Sequence, residues 1–445
     1  MYRSVFRPGA SDFEAARDAG VHALLQDAGL LIPHQETRPD DRMPAHTIHL
    51  LKYPRLPMVS YPWEWAFSML KDAALLHLDI MEKILPLGFW LRDASAFNVQ
   101  YDGSGLRLID TLSIGHRPAG SPWIAYGQFC SHFLAPLAMA AYRDIRTLGL
   151  WRNHIDGYPL DLAVTMLPFR RFFNPRLFMH LKLHARAQVT ADRRDNLNRN
   201  RTRKKPQVSD LGLIGLTRSL RRTVEGLRWK PRSRIWDQYL NLRTYSEKDI
   251  STKTRFIRDV VGRAGPATVW DLGANTGEHS LISAASGAFV VSIDGDPACT
   301  EHVYRQNLPG KHRDRSILPL TMDLANPSPG LGWKGRERLS LTDRGPADLV
   351  LALALVHHLV LSSYVPLSMI AAWFAELGRH AVVEFVPPDD GMVQKLLQNR
   401  NGGHLPYDQN TFQTGFGRFF EVLDRVPLEN GRILFFMKNK IPSNG

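Results

Sequence analysis

Cysteine is nearly absent: Cys130 and Cys299 are the two in 445 residues. They lie far apart and carry no metal-ligand spacing, which argues against a disulfide framework or a zinc site and suits a reducing compartment. No apolar run reaches the roughly 18 residues of a membrane-spanning helix. The richest stretch, Phe133–Tyr142, is followed at once by Arg143 and Asp144. The opening Met1-Tyr-Arg-Ser lacks the apolar core of a secretory signal, so a cytoplasmic chain without a transmembrane segment is expected. Acidic residues are scarce in one place. Between Lys182 and Arg234 there are 16 Lys or Arg against four acids, a surplus of 12 in a chain of net charge +13.

What is present is enough apolar material, 44% of the chain, to fill two or three domains. Three regions are expected: a mixed domain over 1–190, a connector over 191–245, and a domain over 246–445 that alternates strand and helix. The stretch Thr190–Pro206 has almost no large apolar residue and is expected to be poorly ordered. A helical pattern follows, with Leu213, Leu216, Leu220, Val224 and Leu227 on one stripe and Arg218, Arg221 and Arg222 off it. Such a helix either packs on a neighbouring domain or lies on a membrane surface. The basic run over 191–234 fits a solvated linker, and it also fits contact with an anionic membrane surface or with RNA.

In the C-terminal region Ser246 is placed to cap a helix running to about Gly262. Thr268–Leu272 reads as a buried strand, and Asp271-Leu-Gly-Ala-Asn-Thr-Gly277 as the turn into a helix. Ala288–Asp294 reads as a second strand ending in an acid. In a doubly wound sheet such an acid can accept the ribose hydroxyls of a nucleoside. Ile317–Leu324 gives a third strand with Asp323 at its end, and Ala347 onward a fourth, almost wholly apolar, as a central parallel strand should be. Ala381–Val386 gives a fifth. Two further strands meet through Glu429-Asn430-Gly431, a hairpin signal. This succession resembles the class I S-adenosylmethionine-dependent methyltransferases, whose first motif is an acid followed by Gly-x-Gly-x-Gly. Here Asn275 takes the place of the middle glycine, and asparagine tolerates left-handed backbone well. The resemblance implies S-adenosyl-L-methionine as cofactor. It assigns Asp271, Gly273, Ala274, Asn275, Gly277, Asp294, Asp323 and Leu324 to binding it, with Asp323 facing the adenine amino group.

Methyl transfer demands an acceptor held in line with the methyl group and, for a neutral amine or hydroxyl, a base to take its proton. His357 and His358 follow the fourth strand at the edge where an acceptor should lie, and His357 is the preferred base. Glu384, near the end of the fifth strand, is a second polar candidate. The Asn/Asp-Pro-Pro-Tyr motif of adenine and glutamine N-methyltransferases and the Pro-Cys motif of cytosine-5 enzymes are both missing. The loop Asn326–Arg338 after the third strand and the loop Val386–Gly391 after the fifth are the expected acceptor-shaping segments.

In the N-terminal region, Asp93-x4-Asn98 followed by the apolar-flanked Asp110 resembles the catalytic and metal-binding segments of kinase-like phosphotransferases. Tyr61-Pro-Trp-Glu-Trp would then be the hinge. No glycine-rich phosphate loop accompanies it, and Lys52 is the one nearby lysine. The same residues equally fit a hairpin over 98–110 that turns at Asp102-Gly-Ser-Gly. Across both ends the chain resembles bacterial methyltransferases related to the host-specific nodulation protein NoeA. The segments that carry this are Leu91–Gln100, Ile109–Ser113, Met322–Pro329, Leu351–Leu359 and Val383–Pro387. The expected fold is therefore α/β: a Rossmann-like class I methyltransferase sheet with a terminal antiparallel hairpin, beside a mixed α+β N-terminal domain of degenerate kinase-like type. The expected activity is methyl transfer to oxygen or nitrogen of a small-molecule or glycan-type acceptor. An RNA methyltransferase gripping phosphates with the connector, and a non-catalytic scaffold with a vestigial cofactor site, are the alternatives.

Overall fold

The computed structural model describes residues 1–38, 43–44, 46–183, 207–231, 245–308, 316–398 and 405–441. The chain divides into two compact units, Met1–Lys230 and Pro231–Gly445. The stretch 190–206, expected to be poorly ordered, lies outside the described residues.

The first unit opens with a three-stranded antiparallel sheet in which Thr47–Lys52 lies between Tyr2–Phe6 and Gln35–Thr37. The helix Arg7–Asp18 turns Ala10 and Phe13 into a small core with Val5, Ile32, Leu51 and Tyr53. Tyr61 caps a single turn, Pro62–Glu64, and the long helix α1, Phe67–Ile84, follows. Two short antiparallel ladders come next: Phe89–Leu91 with Ile114–His116, and Val99–Tyr101 with Leu106–Leu108. The second ladder is the expected hairpin. It turns where Asp102 Oδ1 accepts the backbone N–H groups of Ser104 and Gly105, at 2.8 and 3.0 Å.

The amphipathic helix of the connector, α2 (Asp210–Gly226, capped by Ser209), belongs to this first unit. Leu213, Leu220, Val224 and Leu227 are buried. Arg221 pairs with Asp79 and, at 2.9 Å, with Glu82 of α1. Lys71 of α1 donates to the last carbonyls, Glu225 O at 2.8 Å and Leu227 O at 3.0 Å, where the helix dipole favours a cation. The buried part of the apolar stripe, Leu213, Leu220 and Val224, thus packs within the unit, while Leu211 at the start of the helix stays exposed.

The second unit begins with α3 (Glu247–Ala264), held by a capping box between Ser246 and Asp249 and stopped by left-handed Gly265. Five parallel strands follow: β1 (Thr268–Leu272), β2 (Phe289–Asp294), β3 (Ile317–Thr321), β4 (Ala347–Ala352) and β5 (Gly378–Phe385). The helices α4 (Glu278–Ala284), α5 (Pro297–Gln306) and α6 (Val356–Leu361) are among their connections. The hairpin β6 (Phe420–Pro427) and β7 (Ile433–Asn439) closes the sheet antiparallel, turning through left-handed Gly431. The order across the sheet is 3-2-1-4-5-7-6. Phe256, Ile257, Val260 and Val261 of α3 pack on one face against Val269, Val290, Leu349 and Val382. Phe374, Phe412 and Phe416 meet Phe385, Phe420 and Phe435 in a second aromatic layer. Burial on both sides is why β4 reads as an unbroken apolar run. The strand order reverses direction between β1 and β4, and that switch point is where α/β sheets bind ligands.

Candidate active site at the sheet switch point

At the carboxyl end of β1 the backbone must turn sharply, and three residues take left-handed φ: Gly273 at +75°, Asn275 at +49° and Gly277 at +76°. The asparagine therefore does what its position requires. The N–H groups of Gly273 and Ala274 both donate to Ile293 O at 2.9 Å, which ties the turn to β2. Asn275 N donates to Asp294 Oδ2 at 2.8 Å, and Asp296 N to Asp294 Oδ1 at 2.8 Å. Cys299 Sγ reaches Asn275 Oδ1 at 3.4 Å. A methyl group at position 277 would sit 2.8 Å from Val303 Cγ2, so the last glycine is needed for close packing on α5.

These strand ends enclose a cavity of about 590 Å3, within the span typical of ligand clefts. Asp271, Gly273, Ala274, Asn275, Asp294, Asp323 and Leu324 all line it. Gly277 does not, and its part is to shape the turn. Asp296 and Glu278 add to the acidic wall, and Lys253 stands against them. Such a wall suits a ligand with cationic and hydroxyl groups.

Asp271 is buried, and burial pushes its carboxyl up to about 6, while Ser280 Oγ at 2.6 Å and the Lys253 ammonium pull it down. Burial also raises Asp294, eased by the N–H groups of Asp296 and Asn275. The sign for Asp271 is set by the unfolded carboxyl, which ionises near 3.8. Between about 4 and about 6 the folded chain holds the extra proton, so this group's contribution falls as pH rises through that window. Asp271→Asn, which can still accept from Ser280, is expected to match the wild type near pH 4 and exceed its stability by about 2–4 kcal/mol at pH 7. Urea unfolding at both pH values checks this, and a constant difference would contradict it.

Beside the cavity lies a buried charge network that spacing alone does not reveal. Glu384 Oε2 pairs with Lys253 Nζ at 2.7 Å, and Glu384 Oε1 accepts from Tyr245 OH at 2.6 Å. Arg432 approaches Glu384 at 3.6 Å, pairs with Asp390 at 2.9 Å and also donates to Tyr245 OH. Burial pushes Glu384 up, but Lys253, the Tyr245 hydrogen bond and Arg432 outweigh it and hold the carboxyl below its ordinary value. Glu384 itself does not line the cavity; Lys253 and Tyr245 do. The carboxylate expected to face an acceptor is instead committed to orienting two cavity-wall side chains.

The two histidines after β4 separate in the same way. His358 lines the cavity and His357 does not. His357 is 2% exposed, and its Nδ1 has no partner among the described residues. Its ring centroid lies 4.1 Å from that of His358. Burial lowers both imidazoles, that of His357 well below the usual value, and the nearby Arg432 charge adds to this. Both are therefore neutral near pH 7. His279, also in the wall, is lowered by burial and Lys253 to about 3, with a buried Nδ1 that has no partner among the described residues. Tyr245, Lys253, His279, Ser362 and Ser363 are cavity residues that the sequence motifs did not single out.

In the first unit the two aspartates of the kinase-like pattern are otherwise engaged, while its asparagine side chain is not. Asp93 Oδ1 accepts from Ser95 N at 2.9 Å and Gln128 Nε2 at 2.7 Å. Asp110 pairs with Arg3 at 2.6 Å and caps the turn Thr111–Ser113. Asn98 Nδ2 has no partner among the described residues. No group of three His, Cys, Asp or Glu among the described residues is arranged to hold a metal.

No protein-family model matches the chain. Over 422 residues it is 32% identical to the nodulation protein NoeA of Rhizobium meliloti (strain 1021), covering 94% of this chain and 87% of that one. Among solved structures it is similar to magnesium protoporphyrin IX methyltransferase (ChlM) from Synechocystis PCC 6803, with bound SAH. That likeness has 19% identity, a TM-score of 0.33, and coverage of 46% of this chain and 94% of that one. The N-methyltransferase NodS from Bradyrhizobium japonicum WM9 is similar at 12% identity and TM-score 0.32, over 44% and 99% of the two chains. It is the sheet order and the acidic strand ends, rather than these likenesses, that define the fold.

Proposed function

The chain belongs to the family of the nodulation protein NoeA, and on that premise we propose that its second unit is an S-adenosylmethionine-dependent methyltransferase acting at oxygen or nitrogen of a small-molecule or glycan-type acceptor. One observation carries the reading: Asp271, Asp294 and Asp323, from the ends of three neighbouring strands, meet around one cavity beside the left-handed turn. The donor set fits the cofactor. Carboxylates accept hydroxyl and amino donors, and their excess of negative charge over Lys253 favours a cationic ligand. The buried Nδ1 of His279 offers one more polar partner.

When bound, S-adenosylmethionine supplies an electrophilic methyl group on a sulfonium sulfur. The chain's residues must then hold the acceptor atom in line and remove its proton. His358 is the base in this reading, because it lines the cavity and is held neutral. The His358 imidazole would take the proton that the acceptor oxygen or nitrogen gives up. Lys253 and Tyr245, oriented by Glu384, are positioning residues. His358→Ala is expected to lower kcat about 100-fold or more and remove the acidic limb of the pH–rate profile, with cofactor affinity nearly intact. His357→Ala should act through stability. A wild-type rate and profile in His358→Ala would sink the assignment. The acceptor class itself is tested with S-adenosylmethionine labelled in the methyl group. It is offered to extract fractions, and the labelled product is read by mass spectrometry. Label confined to RNA would favour the RNA-methylating alternative.

Kinase-like ancestry for the first unit rests on the Asp93-x4-Asn98 and Asp110 pattern alone, since the paired ladders around it fit the hairpin reading equally well. To hold the magnesium that resemblance implies, Asp110 would have to give up its pair with Arg3. This favours a role in positioning the acceptor or a partner over phosphoryl transfer.

A further inference from the structure

The segment leaving β3 lines the cavity from Met322 to Ala325 and then builds a small projecting knob. Leu331 and Arg338 exchange backbone hydrogen bonds at 2.9 and 3.0 Å, and Leu341 N closes the base on Ser328 O at 3.0 Å. Trp333 N is held by Glu337 Oε2 at 2.9 Å. Gly332 at φ +79° and Gly335 at φ +67° turn the tip, and Lys334 between them takes φ +55°, a conformation that costs a non-glycine residue energy. On this hydrogen-bonded tip the indole of Trp333 stands 77% exposed, with exposed Lys334 and Arg336 beside it.

An exposed indole on a flexible loop would need no account. Here the backbone is hydrogen-bonded and strained so as to hold it outward, and strain of this kind collects at functional positions. Among the described residues, the other left-handed non-glycine residues of this unit are Asn275 and Ala354, both in the cavity wall, and Tyr364, next after the cavity residue Ser363. A flat apolar face flanked by cations suits the C–H face of a sugar ring carrying a carboxylate. Chain length limits the distance from Ala325 to Leu331 to about 20 Å, the span of a few sugar rings. A polyanion such as RNA would have to approach Asp271, Asp294, Asp296, Asp323 and Glu278 in the cavity, where its phosphates are repelled. An acceptor with few negative charges, kept at the knob, avoids this.

We propose that the Trp333 knob, with Lys334 and Arg336, is a binding site for an acidic saccharide portion of the methyl acceptor, outside the cavity where the methyl group moves. This rests on the methyltransferase reading for its purpose but not for its test. The test is calorimetry on the full chain with tetragalacturonate, maltotetraose and polyuridylate as probes, and separately with S-adenosylmethionine. Wild type is expected to bind tetragalacturonate more tightly than the other two. Trp333→Ala should weaken that binding at least about tenfold. The double variant Lys334→Gln/Arg336→Gln should weaken tetragalacturonate but not maltotetraose. S-adenosylmethionine affinity should be equal in all three proteins. No binding of tetragalacturonate by wild type, binding unchanged in Trp333→Ala, or tighter binding of polyuridylate overturns the proposal. Trp333-dependent tetragalacturonate binding in a chain that fails to bind S-adenosylmethionine would sink the methyltransferase reading and leave the saccharide site standing.

Discussion

Asp294→Ala should bind S-adenosylmethionine at least about 100-fold more weakly than wild type while folding normally. Each oxygen of Asp294 already accepts one backbone N–H, from Asn275 and from Asp296, and each keeps lone-pair capacity beyond it. On the proposed reading those remaining sites accept the two ribose hydroxyls. A hydrogen bond to a charged group contributes about 1.5–3 kcal/mol, so losing two amounts to about 3–6 kcal/mol, or roughly two to four powers of ten in affinity. The variant also frees Asn275 N, which loosens the left-handed turn. Asp294→Asn, which keeps one acceptor oxygen, should fall between. Calorimetry with the three proteins decides it, and equal dissociation constants would remove Asp294 from the binding site.

Glu384→Gln should instead strike at stability, by about 3–5 kcal/mol at pH 7, because it leaves Lys253 without its buried counter-charge. The network of Lys253, Arg432, Glu384 and Asp390 is balanced as it stands, and removing one carboxylate leaves a net buried cation. Glu384 is held below its unfolded value near 4.5, so its stabilisation is present above that pH and is lost as pH falls through the folded value. The gap between wild type and variant should therefore narrow in acid. Urea titrations at pH 7 and below pH 4 read both halves of the claim. A gap under about 1 kcal/mol at pH 7 would mean that the network holds little. Lys253 and Tyr245 also line the cavity, so cofactor binding should weaken in the same variant. Asp294→Ala, by contrast, loses the ligand without losing the fold.

Much of this site could be read from local sequence because local backbone demands specify it. A turn that needs left-handed residues at 273, 275 and 277 selects glycine and asparagine, and a buried parallel strand selects an apolar run that ends where the ligand begins. The histidine pair shows the limit. Adjacent residues on a helix point about 100° apart, so His357 and His358 do not face the cavity alike, and only the packing of α6 decides which lines it. The Lys253–Glu384 pair joins residues 131 apart in sequence. It did leave a trace: Asp249 and Lys253 share a helical stripe with Phe256, Ile257 and Val260, and charged residues on a buried stripe require partners. For α2 the apolar stripe was plain, but a stripe is the same whether it meets a membrane or α1. The acids Asp79 and Glu82 that receive Arg221 show the packing on α1 only once the helices are side by side.

The most direct test of the cofactor assignment is a crystal structure of the full chain grown with S-adenosylhomocysteine. The account predicts the nucleoside over the β1–β2 edge, with both ribose hydroxyls on Asp294, the adenine beside Asp323 and Leu324, and the sulfur turned toward His358. A ligand bound elsewhere, or a cavity that stays empty at saturating S-adenosylhomocysteine, would contradict it and favour a scaffold with a vestigial site.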